Sequence, residues 1–174
     1  HDARLHSPKL ADALVKGVCS TGAKVINLGL APTPIGYYSE ATMNNVVSAL
    51  IITASHNPKE YNGLKMTYQM QTLNEAKIKE VKDYTFKNWT RDFKECNNIE
   101  TYDIIPEYIK DMINRFGSIG KGIKVVVDSA NGTGGVVAPE LYRKLGCEVV
   151  ELFSEPDGNF PNHHPNPSDL KTLE

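Results

Sequence analysis

Short apolar runs that stop at small or polar residues alternate with stretches carrying helix start and stop signals. This alternation predicts an α/β fold of mostly parallel strands joined by helical crossovers. Three observations carry it. Val46-Val47-Ser48-Ala49-Leu50-Ile51-Ile52 has the composition of a buried strand. Ser7-Pro8 and Thr33-Pro34 each pair a capping residue with a proline that cannot continue a strand, which marks two helix starts. The second half repeats the pattern as strand, helix, strand, with Gly117 and Gly146 as helix stops.

Taken in order, Ser7 is the expected N-cap of the first helix, Pro8 its first helical residue, and Leu10, Leu14 and Val18 one apolar stripe ending at Gly22. Residues 24–29 form a strand. Thr33-Pro34 then opens a second helix through about Met43, and the buried strand 46–52 follows. No strand stands ahead of Asp2-Ala3-Arg4, so the first layer of this unit is expected to be incomplete. Residues 64–68 make a short extended piece, and a helix from about Asn74 is expected to turn Ile78 and Val81 inward. The polar segment 88–98 has no clean period and reads as a boundary, dividing the chain into units of residues 1–100 and 101–174.

In the second unit, 106–116 is a helix with Ile109, Met112, Ile113 and Phe116 on one side, 123–128 a strand, 134–145 a helix, and 147–153 a strand. Residues 155–167 hold four prolines in thirteen positions, too many for a helix or a central strand, so this stretch is an irregular loop.

Composition narrows the partners. The 174 residues carry 19 Lys+Arg against 21 Asp+Glu, a net charge of -2. That balance gives no basic face for nucleic acid or an anionic membrane, and a small-molecule partner is expected. No apolar run approaches the length of a membrane span, and His1-Asp2-Ala3-Arg4 does not resemble a signal peptide. Cys19, Cys96 and Cys147 are an odd, widely spaced set without metal or redox spacing, so free thiols in a reducing cytoplasm are expected. In that compartment the sequons at Asn88 and Asn131 carry no meaning.

The stretch Ile51-Ile52-Thr53-Ala54-Ser55-His56-Asn57-Pro58 places Ser55 where the buried strand leaves the sheet, the edge at which open α/β sheets bind ligands. A serine alcohol needs a base, a cation or a metal to become reactive. His56 is adjacent, and Lys65 follows across a turn built from Tyr61-Asn62-Gly63. The plainer alternative is that Ser55 and Asn57 only cap a turn while Lys65 is a solvated cation. No Gly-x-Ser-x-Gly elbow or triad acid is present, which disfavours acyl transfer. Phosphoryl transfer fits better, because it asks mainly for cations and amide N–H groups around the phosphoryl oxygens, and Arg4, His56 and Lys65 could supply the cations.

Thr53-Ala54-Ser55-His56-Asn57-Pro58 with Tyr61-Asn62-Gly63-Leu64-Lys65 resembles the active-serine loop of the α-D-phosphohexomutases, in their phosphomannomutase/phosphoglucomutase branch. Asp2-Ala3-Arg4-Leu5, Ala31-Pro32-Thr33-Pro34, the segment from Val125 to Gly135 and the loop from Glu155 to Pro165 are similar to further family segments. The resemblance implies mixed, mostly parallel sheets sandwiched by helices: the first domain, lacking its first strand, and the first half of the second. It also implies that Ser55 carries a phosphoryl group and exchanges it with a hexose phosphate through a hexose 1,6-bisphosphate. In that reading Lys65 is the general acid/base, His56 bonds around the reacting oxygens, and Arg4 is a cation near the phosphoserine. Mg²⁺ is the implied cofactor, with Ser55 contributing to it through its phosphate.

The family's Asp-Gly-Asp-x-Asp-Arg metal loop, sugar-recognition loop and phosphate-binding loop have no counterpart, the only Asp-Gly being Asp157-Gly158. The expectation is therefore a piece of a longer enzyme, inactive in isolation, with the choice among mannose, glucose and glucosamine phosphates left open. Two other readings were weighed. Gly132-Thr133-Gly134 between two strands, with Glu151 further on, imitates a dinucleotide-binding turn of an oxidoreductase, although Val137 stands where its third glycine belongs. A non-catalytic sugar-phosphate module is the other, with Tyr61, Tyr68 or Trp89 as stacking platforms. His163-His164 lacks metal-site spacing and is expected to serve its loop.

Overall fold

The computed structural model describes residues 1–88 and 96–170. Its elements are α1 (Ser7–Cys19), β1 (Val25–Asn27), α2 (Thr33–Thr42), β2 (Leu50–Ile52), β3 (Leu64–Tyr68), β4 (Gln71–Thr72), α3 (Glu75–Lys87), β5 (Ile99–Thr101), α4 (Ile105–Phe116), β6 (Lys124–Asp128), a 3-10 turn (Thr133–Val136), α5 (Ala138–Lys144) and β7 (Glu148–Leu152). The fold is mixed α/β. β1 pairs with β5 and β6 with β7, both parallel, and β2–β3–β4 is an antiparallel sheet. The extended piece expected at residues 64–68 departs from the mostly parallel expectation: the chain returns from Ile52 to Leu64 and pairs antiparallel, Ile51 opposite Lys65.

Several local expectations shift for identifiable reasons. Of the predicted strand 46–52, only Leu50–Ile52 is regular. Beyond Leu50 the ladder becomes irregular: the Ala49 amide turns to the Thr67 hydroxyl at 2.9 Å, while the Thr67 and Gln69 amides still reach Ala49 O (3.0 Å) and Val47 O (2.8 Å). Ser7 is the first helical residue and does not cap α1, because its hydroxyl donates to Asp2 instead. Asn74 does cap α3, accepting from the Lys77 amide at 3.0 Å, yet Ile78 and Val81 are each 44% exposed and the helix buries no residue. The predicted helix 134–145 is a 3-10 turn followed by a short α5 whose first turn holds Pro139.

The core joins the two halves of the chain. Ala31 and Ile35 from the start of α2 pack with Ile104, Ile109 and Val137, and Tyr38 meets Tyr108 edge-on at 5.0 Å between centroids. Gly36 allows α2 to close on β2, since a Cβ there would stand 2.7 Å from Ile51 Cδ1. On the other side of this layer β1 and β2, each hydrogen-bonded to one neighbour only, line an apolar groove of about 430 Å³ together with Leu14, Val18 and Met43. His1 and Asp2 bridge one end of it, through the His1 amino group to Gly29 O at 2.8 Å and the Asp2 amide to Ile52 O at 2.9 Å.

The accessible surface is 11562 Å². A compact monomer of 19.3 kDa exposes roughly 8500 Å² by the usual mass scaling. The excess comes partly from apolar side chains that folded domains normally cover, such as Phe116, Ile119, Ile123 and Val126 around β6.

The thiol expectation is corrected: Cys19 and Cys96 form a disulfide, with Cα atoms 5.7 Å apart, and only Cys147 is free. The reason is topological. β5 pairs with β1, beginning from the Val25 amide on Asn98 O, and this carries Cys96 back to the end of α1. No helix among the described residues is long and apolar enough to cross a membrane. Trp89 lies outside the described residues.

Candidate active-serine site

Residues 53–63 form a loop closed at its base by the Thr53 amide on Gly63 O at 3.0 Å. Gly63 eases this closure, since a Cβ would come 3.1 Å from Thr53 O and press on it. Inside the loop the Thr53 hydroxyl accepts from the Ser55 amide at 3.0 Å, and Asn57 returns both its amide (3.1 Å) and its side chain (2.9 Å) to Ala54 O. These bonds hold Ser55 at φ 57°, in the left-handed region that a non-glycine residue enters only when its surroundings fix it. The side chain is thereby lifted into solvent, with Oγ 3.2 Å from His56 Nδ1.

Beneath the loop lies a buried ionic cluster. Arg4 is 2% exposed and ion-pairs through Nη1 with Asp2. Its Nη2 donates to Ser55 O at 3.3 Å and to Asn57 O at 2.6 Å. Asp2 also accepts from the Arg4 amide at 3.1 Å, from Ser7 Oγ at 2.5 Å and from the Thr53 hydroxyl. Burial pushes the Asp2 carboxyl up, but the Ser7 hydroxyl, the Arg4 amide, the Arg4 charge and the Thr53 hydroxyl outweigh it and hold Asp2 below its ordinary value. Ser7 Oγ in turn accepts from Asn62 Nδ2 at 2.8 Å, so the cluster grips the loop on both sides of Ser55.

The structure thus brings Arg4, Ser55 and His56 together. Lys65 arrives on β3, half-buried, opposite Ile51 at the root of the same loop. Arg4 faces backbone carbonyls and Asp2 rather than open solvent. Asp2, Ser7, Thr53 and Asn62 were not singled out from sequence. The Asp-x-Arg spacing at residues 2–4 was the available signal for Asp2. Thr53 and Asn62 fall inside the serine-loop motif without a role of their own, and Ser7 reads as a helix cap.

The second unit has its own anchored loop. Asn131, buried behind β6, donates to Glu155 O at 2.9 Å and accepts from Asn162 Nδ2 at 2.7 Å, and its carbonyl takes the Asp157 amide at 2.9 Å. His163 Nε2 meets the Asp128 carboxylate at 2.9 and 3.0 Å, while Nδ1 lies 3.0 Å from His164 O. Both partners are acceptors, an arrangement that favours the doubly protonated ring over the neutral one. The His164 carbonyl raises the His163 pKa first, burial opposes it, and Asp128 adds to the rise. The adjacent histidines therefore serve the loop. Gly132 and Gly134 do not open an α-helix, as a dinucleotide turn would require, and Gly135 is a packing contact where a Cβ would meet Ser154 O at 1.8 Å.

Similarity to known proteins now decides the family. The description "Phosphoglucomutase/phosphomannomutase, alpha/beta/alpha domain I" matches residues 1–92, and that for domain II matches residues 106–174. The chain belongs to the phosphoglucomutase/phosphomannomutase family. It is 38% identical over 172 residues to the phosphomannomutase/phosphoglucomutase of Pseudomonas aeruginosa PAO1, covering 99% of this chain and 36% of that protein. With a phosphoglucomutase of Neisseria meningitidis serogroup A it shares 37% over 174 residues, 99% and 37% of the two lengths. A crystal structure of a phosphoglucomutase/phosphomannomutase family protein from Burkholderia thailandensis superposes with a TM-score of 0.89 at 35% identity, covering 99% of this chain and 39% of that one. The chain therefore spans a little over a third of the length of these mutase relatives, and the family match replaces the dinucleotide-binding reading.

Metal holding is not complete within these residues. Among the described residues no three His, Cys, Asp or Glu side chains cluster. The exposed Ser55 could offer phosphate oxygens to a cation, and the rest of the shell would have to come from further ligands.

Proposed function

We propose that this chain is the serine-bearing part of a mutase that moves phosphate between the 1 and 6 positions of hexose phosphates, mannose and/or glucose, through a hexose 1,6-bisphosphate. The observation that carries the proposal is Ser55 itself: an exposed hydroxyl beside His56, at a left-handed position fixed from below by Arg4. In the resting state Ser55 Oγ bears the phosphoryl group. A sugar hydroxyl attacks phosphorus, and its proton passes by way of Lys65 to Ser55 Oγ as the bond from that oxygen to phosphorus breaks. His56 steadies the reacting oxygens by hydrogen bonding. The second half reverses these roles, and the other phosphate of the bisphosphate returns to Ser55.

The part of Arg4 is to hold the carbonyls of residues 55 and 57, which keeps Oγ aimed outward as charge moves between sugar and serine. Mg²⁺, which neutralises phosphoryl charge in such reactions, would rest on the phosphorylated Ser55 and on ligands outside this chain. We further propose the division into units 1–100 and 101–174, and a cytoplasmic setting, where the hexose phosphate pool would meet Ser55 and where the Cys19–Cys96 link stands as an exception to the usual reduced state of thiols. The isolated chain, without further metal ligands, is expected not to turn over.

The test is phosphopeptide mass spectrometry on the full-length polypeptide that carries these residues, after exposure to glucose 1,6-bisphosphate and Mg²⁺. A phosphoryl increment on the Ser55 peptide, lost together with mutase turnover in Ser55→Ala, is expected. Full turnover by Ser55→Ala would sink the proposal.

A further inference from the structure

The Pro-rich loop of the second unit reaches the serine site of the first, and it does so at one residue. Gly158 is buried against residues 3–5: a Cβ there would stand 2.5 Å from Ala3 O, 2.6 Å from Leu5 N and 3.0 Å from Arg4 C, so two backbones are in direct contact. Two residues on, the Phe160 ring lies with its centroid 5.5 Å from Arg4 Cζ. Nη1 and Nη2 of that guanidinium are engaged by Asp2 and the loop carbonyls, and Nε is buried with no hydrogen-bond partner. The aromatic face is what the remaining positive surface has to rest on, and a ring face attracts a desolvated cation more strongly than an exposed one.

The loop is built to hold that ring still. The Phe160 amide donates to Asp157 O at 3.0 Å, and the Asp157 carboxylate takes the Asn159 amide at 2.8 Å, making a closed turn. Asn131 and the His163–Asp128 pair fix the two ends of the turn to β6. A rigid connection thus runs from the β6 sheet through Phe160 to Arg4, and from Arg4 to the carbonyls of Ser55 and Asn57.

We propose that Phe160 is a positioning residue for the active-serine loop, acting through Arg4, so that the second unit sets the order of the serine loop in the first. The inference rests on the mutase reading for its catalytic meaning, but the coupling it claims is a property of the chain.

The test therefore reads the coupling directly, by hydrogen exchange of the Ser55 and Asn57 amides in the full-length polypeptide that carries these residues. Site-specific replacement of Phe160 by 3,4,5-trifluorophenylalanine keeps the shape of the ring and weakens its face. It should speed exchange at those two amides by roughly 2- to 30-fold, the span of one cation–π contact. Phe160→Trp should restore slow exchange, and Phe160→Leu should not. Amides in β6 and β7 serve as the internal control and should stay unchanged in the fluorinated chain. Equal exchange at residues 55 and 57 in the native and fluorinated chains overturns the inference, as does acceleration of loop and control amides alike. The exchange measurement does not depend on turnover: loss of Ser55 phosphorylation with intact coupling would sink the mutase proposal and leave this one standing.

Discussion

Removing the Asp2 carboxylate should cost more than any other single polar deletion in the serine site. In Asp2→Ala the Arg4 guanidinium, 2% exposed, loses the one carboxylate that pairs with it among the described residues. The Ser7 and Thr53 hydroxyls lose their acceptor at the same time. Breaking a buried ion pair from one side costs about 3–5 kcal/mol. With a urea slope of ~2 kcal/mol/M, the midpoint should fall by roughly 1.5–2.5 M, followed by far-UV circular dichroism. Much of this should return in the double variant Asp2→Ala/Arg4→Met, because the penalty comes from the stranded charge. The pH dependence has a definite sign. The folded-state pKa of Asp2 is held below its ordinary 3.8, so the stabilisation is present above that value and is lost as pH falls through the lower folded value. Asp2→Ala should flatten this acid limb. A midpoint shift under about 0.5 M, or ~1 kcal/mol, would show that Arg4 is not held as a buried ion and would refute the reasoning.

Two further outcomes are expected. A non-reducing peptide map should show Cys19 joined to Cys96 and only Cys147 alkylated. Reducing the link, which spans a sequence separation of 77, should lower stability by ~4–5 kcal/mol on the chain-entropy estimate, and three equally reactive cysteines in the folded chain would contradict it. His163 works in the opposite direction to Asp2. Its folded pKa lies above 6.5, so its tie to Asp128 stabilises fully below 6.5 and is lost as pH rises through the higher folded value. His163→Gln should remove that decline from a pH series of melting temperatures, and an unchanged series would exclude the tie.

The serine loop was legible because its signals are local. A strand that stops at Thr53, an Asn-Pro pair and an Asn-Gly pair specify a turn whatever surrounds them. Ser7 was misread for the complementary reason: a serine before a proline looks like a cap until a carboxylate five residues upstream claims its hydroxyl. The direction of pairing after β2 was hidden because Leu64–Tyr68 reads as extended whether it pairs parallel or antiparallel. The Cys19–Cys96 link depends on β5 choosing β1 as neighbour, a choice made across most of the first unit. Ile78 and Val81 mark a helix face correctly, but a stripe says which side is apolar and nothing about what covers it.

The groove between β1 and β2 also bears on how the chain behaves in a test tube. Each of these strands has one side without a strand partner among the described residues, and the space of about 430 Å³ between them is lined mainly by apolar side chains. Such edges are templates for pairing with any passing strand. Concentrating the chain should therefore promote association at this groove before the serine loop is disturbed, and solubility will respond to a charge placed on Val25 or Leu50 more than to changes around Ser55.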